Sequence, residues 1–239
     1  MQWHSAAVTH PGKCRSRNED SVLDQAQQAL WAVADGMGGH NAGDYASHQI
    51  TSHLAQLSLL GDLGERVDEV EDTLLQVNDH LRAYAQSECG GQTVGSTVVT
   101  LMVHDSTGVV LWAGDSRLYR LRERELVLVT RDHNPVADLL DVGGVTPEEA
   151  LGADTNVITR AIGGQPGLQL DVVVFDLQPG DTLLLCSDGL YREVHSGDLA
   201  DALRQDTPEQ AVEDLLQLAL ASTARDNISM VVAKAGGES

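Results

Sequence analysis

Strand-like segments gather in runs and helix-like segments gather in blocks between them, without strict alternation, a pattern that predicts an α+β fold with mainly antiparallel sheets. The strand candidates are short and rich in β-branched and aliphatic residues: 3–9, 30–34, 96–103, 109–113, 117–121, 168–175, 182–187 and 228–233. A first helix is marked by Ala46, Ile50, Leu54 and Leu57 at helical spacing. A longer helix follows, with Val67, Val70, Leu74, Val77, Leu81 and Tyr84 on one face. Thr146-Pro147-Glu148-Glu149 and Thr207-Pro208-Glu209-Gln210 both have the form of a capping box with proline at the first helical position. The second opens a helix carrying Val212, Leu215, Leu216, Ala219 and Leu220. Residues 133–160 hold Pro135, the Gly143-Gly144 pair and one short helix, and read as a surface flap on a single domain spanning 1–239.

A chain of 239 residues can bury a sizeable core without covalent staples. Its 15 Lys and Arg against 36 Asp and Glu give a net charge of -21, which repels nucleic-acid backbones and anionic membranes and excludes both as partners. With one Phe, four Tyr and three Trp, the core is expected to rest on Leu, Val, Ile and Ala. Cys14, Cys89 and Cys186 have no short spacing, so neither a disulfide framework nor a cysteine zinc site is indicated. No basic stretch leads an apolar one at the start, and the longest apolar run is only residues 29–34. A cytoplasmic location and a monomer are the expectations.

The informative pattern is an apolar strand that runs into an aspartate, and it occurs three times. Residues 30–34 lead into Asp35-Gly36, 109–113 into Gly114-Asp115, and 183–187 into Asp188-Gly189. Asp226-Asn227 inverts the order by preceding the last strand, and Glu19-Asp20 follow an arginine-rich stretch. Taken singly, each Asp-Gly is an ordinary turn signal. However, Asp35-Gly36 is followed by Met37-Gly38-Gly39-His40-Asn41-Ala42-Gly43, too long and glycine-rich for a two-residue hairpin. Several acids brought to one point need a cation to offset their repulsion. All-oxygen ligands select a hard ion, Mg2+ or Mn2+, over zinc. Two such ions sharing a carboxylate about 4 Å apart can activate a bridging water for in-line attack at phosphorus. The residues therefore point to metal-assisted phosphate hydrolysis.

Eight stretches in order, GKCRSRNED (12–20), VADGMGGHNAG (33–43), GST (95–97), WAGDSRLY (112–119), TRDH (130–133), ITRAIG (158–163), LLCSDG (184–189) and RDNI (225–228), resemble the metal-dependent protein phosphatase family of type 2C in its compact bacterial form. The resemblance implies a four-layer α-β-β-α sandwich, two antiparallel sheets flanked by helices, with two or three Mn2+ or Mg2+ ions at one end. It implies that Asp35 bridges two ions and that the Gly36 carbonyl binds one of them. Asp188 and Asp226 complete the first ion, Glu19 and Asp20 act near the pair, and Asp115 with Asp188 holds a third, weaker ion. Arg15 takes the substrate phosphate, for which a planar guanidinium fork is suited. His40 is a candidate general acid for the leaving alkoxide, with a structural role in its loop as the alternative; His133 is read as structural. The implied substrates are phosphoserine and phosphothreonine in proteins, with a Ser/Thr kinase as counterpart. Residues 152–156, Gly-Ala-Asp-Thr-Asn, depart from the His-Pro pair that often precedes the ITRAIG-like motif, which bears on flap contacts.

Two other classes compete. A sensing module without turnover predicts lost ligands, yet Asp35, Asp188 and Asp226 are all present. A nucleotide-binding loop at 35–43 lacks the Lys-Ser/Thr of a P-loop, and Asn41 stands where a dinucleotide fingerprint needs glycine. The acidity does not exclude an anionic substrate, because bound divalent cations reverse the sign locally and local charge dominates within about 8 Å.

Overall fold

The computed structural model describes residues 1–38, 42–141 and 157–236. In chain order the strands are β1 (Trp3–His10), β2 (Asp20–Gln25), β3 (Leu30–Gly38), β4 (Val94–Ser96), β5 (Val98–His104), β6 (Thr107–Ala113), β7 (Arg117–Arg122), β8 (Glu125–Leu128), β9 (Asp171–Asp176), β10 (Thr182–Cys186) and β11 (Ile228–Ala235). The helices are α1 (Ala42–Leu54), α2 (Leu63–Glu88), α3 (Pro135–Asp141), α4 (Asp188–Tyr191), α5 (Ser196–Ala202) and α6 (Pro208–Ala221). One sheet has the order β1-β11-β10-β7-β8, the other β2-β3-β5-β6-β9 with β4 beside β3. Every strand pairing among the described residues is antiparallel.

The period-two alternation of buried strands builds four layers. Trp31 and Val33 of β3, Leu183 and Leu185 of β10, and Val231 and Ala233 of β11 fill the space between the sheets. Their neighbours Leu30, Ala32 and Ala34 face the other way, onto Ile50 of α1 and Leu74 and Leu81 of α2. On the far side Leu184, Cys186, Met230 and Val232 pack on Leu199 of α5 and Leu215 of α6. This is the α-β-β-α sandwich that the sequence resemblance implies. The anticipated capping box of α6 is present, Thr207 and Gln210 exchanging side-chain and backbone hydrogen bonds at 3.3 Å. A second, at Asp62 and Glu65, starts α2.

Several boundaries differ from expectation. The strand expected to stop at Ala34 continues to Gly38, so Asp35 lies within a strand. The strand expected over 96–103 is divided at Thr97, whose N–H donates to the Asp35 carbonyl at 2.9 Å and whose hydroxyl accepts the Asp35 N–H at 3.2 Å. β2 (DSVLDQ) and β8 (ELVL) were not expected: their polar residues mask the alternation. The strand expected from 168 begins at Asp171, while Leu168 packs into the core against the helices. The core is also less purely aliphatic than the composition suggests, because all three Trp are buried. Trp3 and Trp31 meet edge to face at 5.5 Å between the sheets, and Asp24 accepts the Trp31 indole N–H. Within the expected flap, α3 is capped by Asn134, whose side-chain oxygen accepts the Ala137 N–H at 2.9 Å. The expected capping box at Thr146, the Gly143-Gly144 pair and the 152–156 segment lie outside the described residues.

Candidate active site

Both sheets deliver carboxylates to the same end of the sandwich. Asp20 opens β2 directly opposite Asp35 of β3. On the other sheet, Asp188 follows β10 at the start of α4, and Asp226 precedes the adjacent strand β11. Asp115 lies in the turn by which the chain passes from β6 of one sheet to β7 of the other. Gly114, at a φ of 110° open to glycine, makes that turn; a Cβ there would stand 2.6 Å from the Thr97 side chain.

Arg15, Glu19, Asp35, Gly36, Asp115, Asp188 and Asp226 all line one cavity of about 410 Å³. Asp20 sits behind it, 3% exposed, accepting the Ser187 hydroxyl at 2.8 Å. His40 lies outside the described residues. Gly36 is fixed by contact: its N–H donates to the Glu19 carbonyl, and a Cβ would come 2.1 Å from the Gly43 carbonyl oxygen. His133 is fully buried, accepts the Gly114 N–H at its Nδ1, sets Nε2 3.2 Å from Asp171 and stacks on Trp112. That is the structural placement expected of it.

Two residues that sequence reasoning passed over belong to this site. Arg192 reaches Asp188 at 3.0 Å and Asp115 at 3.4 Å; its position four residues after Asp188 is the signal that could have found it. Asn227 accepts the Glu19 N–H at 2.8 Å and donates to the Pro11 and Arg17 carbonyls at 3.1 and 2.9 Å. It thereby pins the loop that carries Arg15 and Glu19, a contact across the chain that leaves no local trace in sequence. Arg15 itself meets Asp226 at 2.8 Å on the cavity rim.

The electrostatics follow from gathering acids away from water. Burial first, then Asp188 and Asp226, push the Asp20 carboxyl up to about 7 against the pull of its serine partners. Burial, Asp20 and Asp188 hold Asp35 well above the usual carboxylate range. Asp188 is raised to about 6, chiefly by burial and in spite of Arg192. Asp115 and Glu19 are raised as well, burial being the main cause for each.

The match with a family model described as protein phosphatase 2C runs over residues 13–231. The chain belongs to the protein phosphatase 2C family. It is 32% identical over 238 residues to the serine/threonine phosphatase stp of Listeria innocua, covering 96% of this chain and 94% of that one. It is 34% identical over 229 residues to PstP of Mycobacterium tuberculosis, covering 95% of this chain but 44% of PstP. Among solved structures, PppA, described as a key regulatory component of the T6SS in Pseudomonas aeruginosa, superposes with a TM-score of 0.90 at 40% identity over 98% of both chains. The PstP catalytic domain, in complex with two manganese ions, superposes at 0.86 with 33% identity, over 98% of this chain and 99% of that one. The phosphatase is thus a protein serine/threonine phosphatase that works with Mn2+ or Mg2+.

The residues of this phosphatase fit such an ion. Asp188 Oδ1 is buried with no hydrogen-bond partner, and the neighbouring carboxyls are destabilised as anions until a cation arrives. The donors facing the cavity are oxygens, as a hard cation requires. Among the described residues no three His, Cys, Asp or Glu side chains form a group that could hold a metal ion by itself.

Proposed function

We propose that the phosphatase hydrolyses phosphoserine and phosphothreonine in proteins at the cavity between its sheet ends, as a monomeric cytoplasmic counterpart of a Ser/Thr kinase. The observation that carries this reading is the meeting of Asp35, Asp188 and Asp226, from two different sheets, in one cavity rimmed by Arg15. In this reading Asp35, the Gly36 carbonyl, Asp188 and Asp226 hold Mn2+ or Mg2+, and Glu19 and Asp20 support them. When bound, the ions supply Lewis-acid polarisation of the phosphoryl group and lower the pKa of attacking water. Arg15 orients the phosphoryl oxygens by a planar donor pair, moving off Asp226 to do so. His40 donates the proton to the leaving alkoxide. In this reading the chain is a single catalytic domain, and Ile158, on the cavity wall, contributes to the choice of substrate.

The likeness to PppA, at 40% identity over nearly the whole chain, supports a regulatory setting for this activity. No helix among the described residues is long and apolar enough to cross a membrane. The test is turnover of phosphoserine and phosphothreonine peptides with Mn2+, before and after exhaustive chelation. Activity that needs Mn2+ or Mg2+ and is poorly restored by Ca2+ supports the reading; full activity after chelation sinks it. Phosphoproteomics of a deletion strain then identifies the proteins acted on.

A further inference from the structure

Arg192 ends the single turn of α4, four residues after Asp188. Its Nε lies 3.0 Å from Asp188 Oδ2 and its Nη2 3.4 Å from Asp115 Oδ2, so one guanidinium spans two carboxylates. The spacing is written in the sequence, since an acid four residues before an arginine shares its face of a helical turn. We propose that the Arg192 guanidinium is the resident cation of the Asp115–Asp188 pair, so that this chain takes two divalent ions and not a third. The proposal rests on the reading of Asp35, Asp188 and Asp226 as ligands.

The two oxygens of Asp188 are divided between tasks. Oδ2 is engaged by Arg192, whereas Oδ1 is buried without a partner and remains for a divalent ion in the cavity. Asp115 is engaged at one oxygen as well. Its side chain is 3% exposed, and Oδ2 is approached at 3.4 Å by both Arg192 Nη2 and the Tyr191 hydroxyl. That hydroxyl also donates to the Asp115 carbonyl at 3.1 Å. Tyr191 is held in turn by the Arg117 guanidinium, 3.6 Å from its ring centre, and Arg117 is fixed by a two-point pair with Asp132.

Charge points the same way. A guanidinium stays protonated at any working pH, so Arg192 already offsets part of the repulsion between Asp115 and Asp188. A further divalent ion brought to the same two carboxylates would be repelled by it. Admitting that ion would require the side chain to swing into solvent and give up both contacts. On this proposal Asp115 anchors a fixed positive charge on the cavity wall, where the sequence resemblance implies a third ion.

The test counts Mn2+ ions by anomalous scattering from crystals grown in excess Mn2+, with calorimetric titration of the chelator-stripped chain alongside. The wild-type chain is expected to hold two ions. Arg192→Ala, which bares the pair, is expected to hold three, and Arg192→Ala combined with Asp115→Asn two again. A third ion in the wild type that disappears in Asp115→Asn overturns the proposal. So does an Arg192→Ala chain that unfolds at the normal temperature yet still holds two. If Arg192→Ala does not fold, the wild-type and Asp115→Asn counts decide alone: equal counts of two support the proposal, a drop from three to two overturns it. Undiminished binding by Asp35→Asn would instead refute the ligand reading on which the proposal rests, so the two failures show in different variants.

Discussion

Asp20 stands directly opposite Asp35 in the register of β2 and β3, so two carboxyls occupy the cross-strand position where like charges repel. Asp20 is 3% exposed; burial raises both carboxyls, with Asp188 and Asp226 adding to the rise of Asp20 and Asp20 itself adding to the rise of Asp35. A fold that keeps this pair spends stability to have a strongly cation-seeking site. The following expectations flow from that arrangement and from the groups that hold it.

Asp35→Asn removes one charge from the repelling cluster and the ligand proposed to be shared. Turnover is expected to fall by far more than tenfold, a barrier increase well above about 1.4 kcal/mol. The chelator-stripped variant is expected to unfold at a higher temperature than the stripped wild type. Steady-state kinetics and calorimetric scanning of the same preparation check both. A variant keeping a tenth or more of kcat refutes the shared-ligand role.

The pH dependence of stability has a definite sign. A carboxyl whose folded pKa is raised stabilises the fold fully below its unfolded value of 3.8, and that stability is lost as pH climbs to the folded value, about 7 for Asp20 and about 6 for Asp188. The stripped protein should therefore lose thermal stability as pH rises across that window. The stabilisation added by Mn2+ should grow over the same window, because the ion binds the deprotonated form. Asp20→Asn should flatten the stripped curve, which separates this local effect from the general repulsion of a chain of charge -21.

Arg15→Ala removes an exposed pair with Asp226, the two side chains being 53% and 40% exposed. Such a pair contributes little to stability, on the order of 0 to 1 kcal/mol. KM for phosphopeptide is expected to rise while Mn2+ affinity, by calorimetry, stays nearly constant. A large loss of metal binding would make Arg15 a support of the acids instead of a phosphate ligand.

Asn227→Ala is the structural counterpart. Asn227 is 5% exposed and makes three side-chain hydrogen bonds to the 11–19 loop. Losing three part-buried hydrogen bonds, at about 0.5–1.5 kcal/mol each, should lower the unfolding temperature. Turnover should fall because Glu19 and Arg15 lose their fixed position. Wild-type stability in this variant would show that the loop is held by other contacts, such as the Lys13 N–H donating to the Ala224 carbonyl at 2.8 Å.

Much of the framework was legible in order along the chain. The apolar runs at β3, β5, β6, β10 and β11 are buried on both faces, so their composition alone marks them as strands. The helical periodicities of α1, α2 and α6 and the Thr207 cap are local signals, and local physics decides them. The acids were legible too, because an apolar strand running into an aspartate three times is a pattern in one dimension.

Tertiary structure decided what depends on partners far apart in the chain. β2 exists because β3 offers it an edge and Asp24 meets Trp31, not because DSVLDQ favours a strand by itself. The extension of β3 through Asp35, and its facing of Asp20, follow from pairing register, which residue types do not state. Asn227 became a clamp only when folding brought Pro11, Arg17 and Glu19 beside it. Arg192 lies between the two cases. Its spacing from Asp188 is set by sequence, but the contact with Asp115, on a turn between the two sheets, is set by how those sheets stack. Local propensity and pattern are properties of a segment, whereas charge compensation depends on distance in space. The chemistry of each acid could therefore be read from the chain, and its neighbours only from the fold.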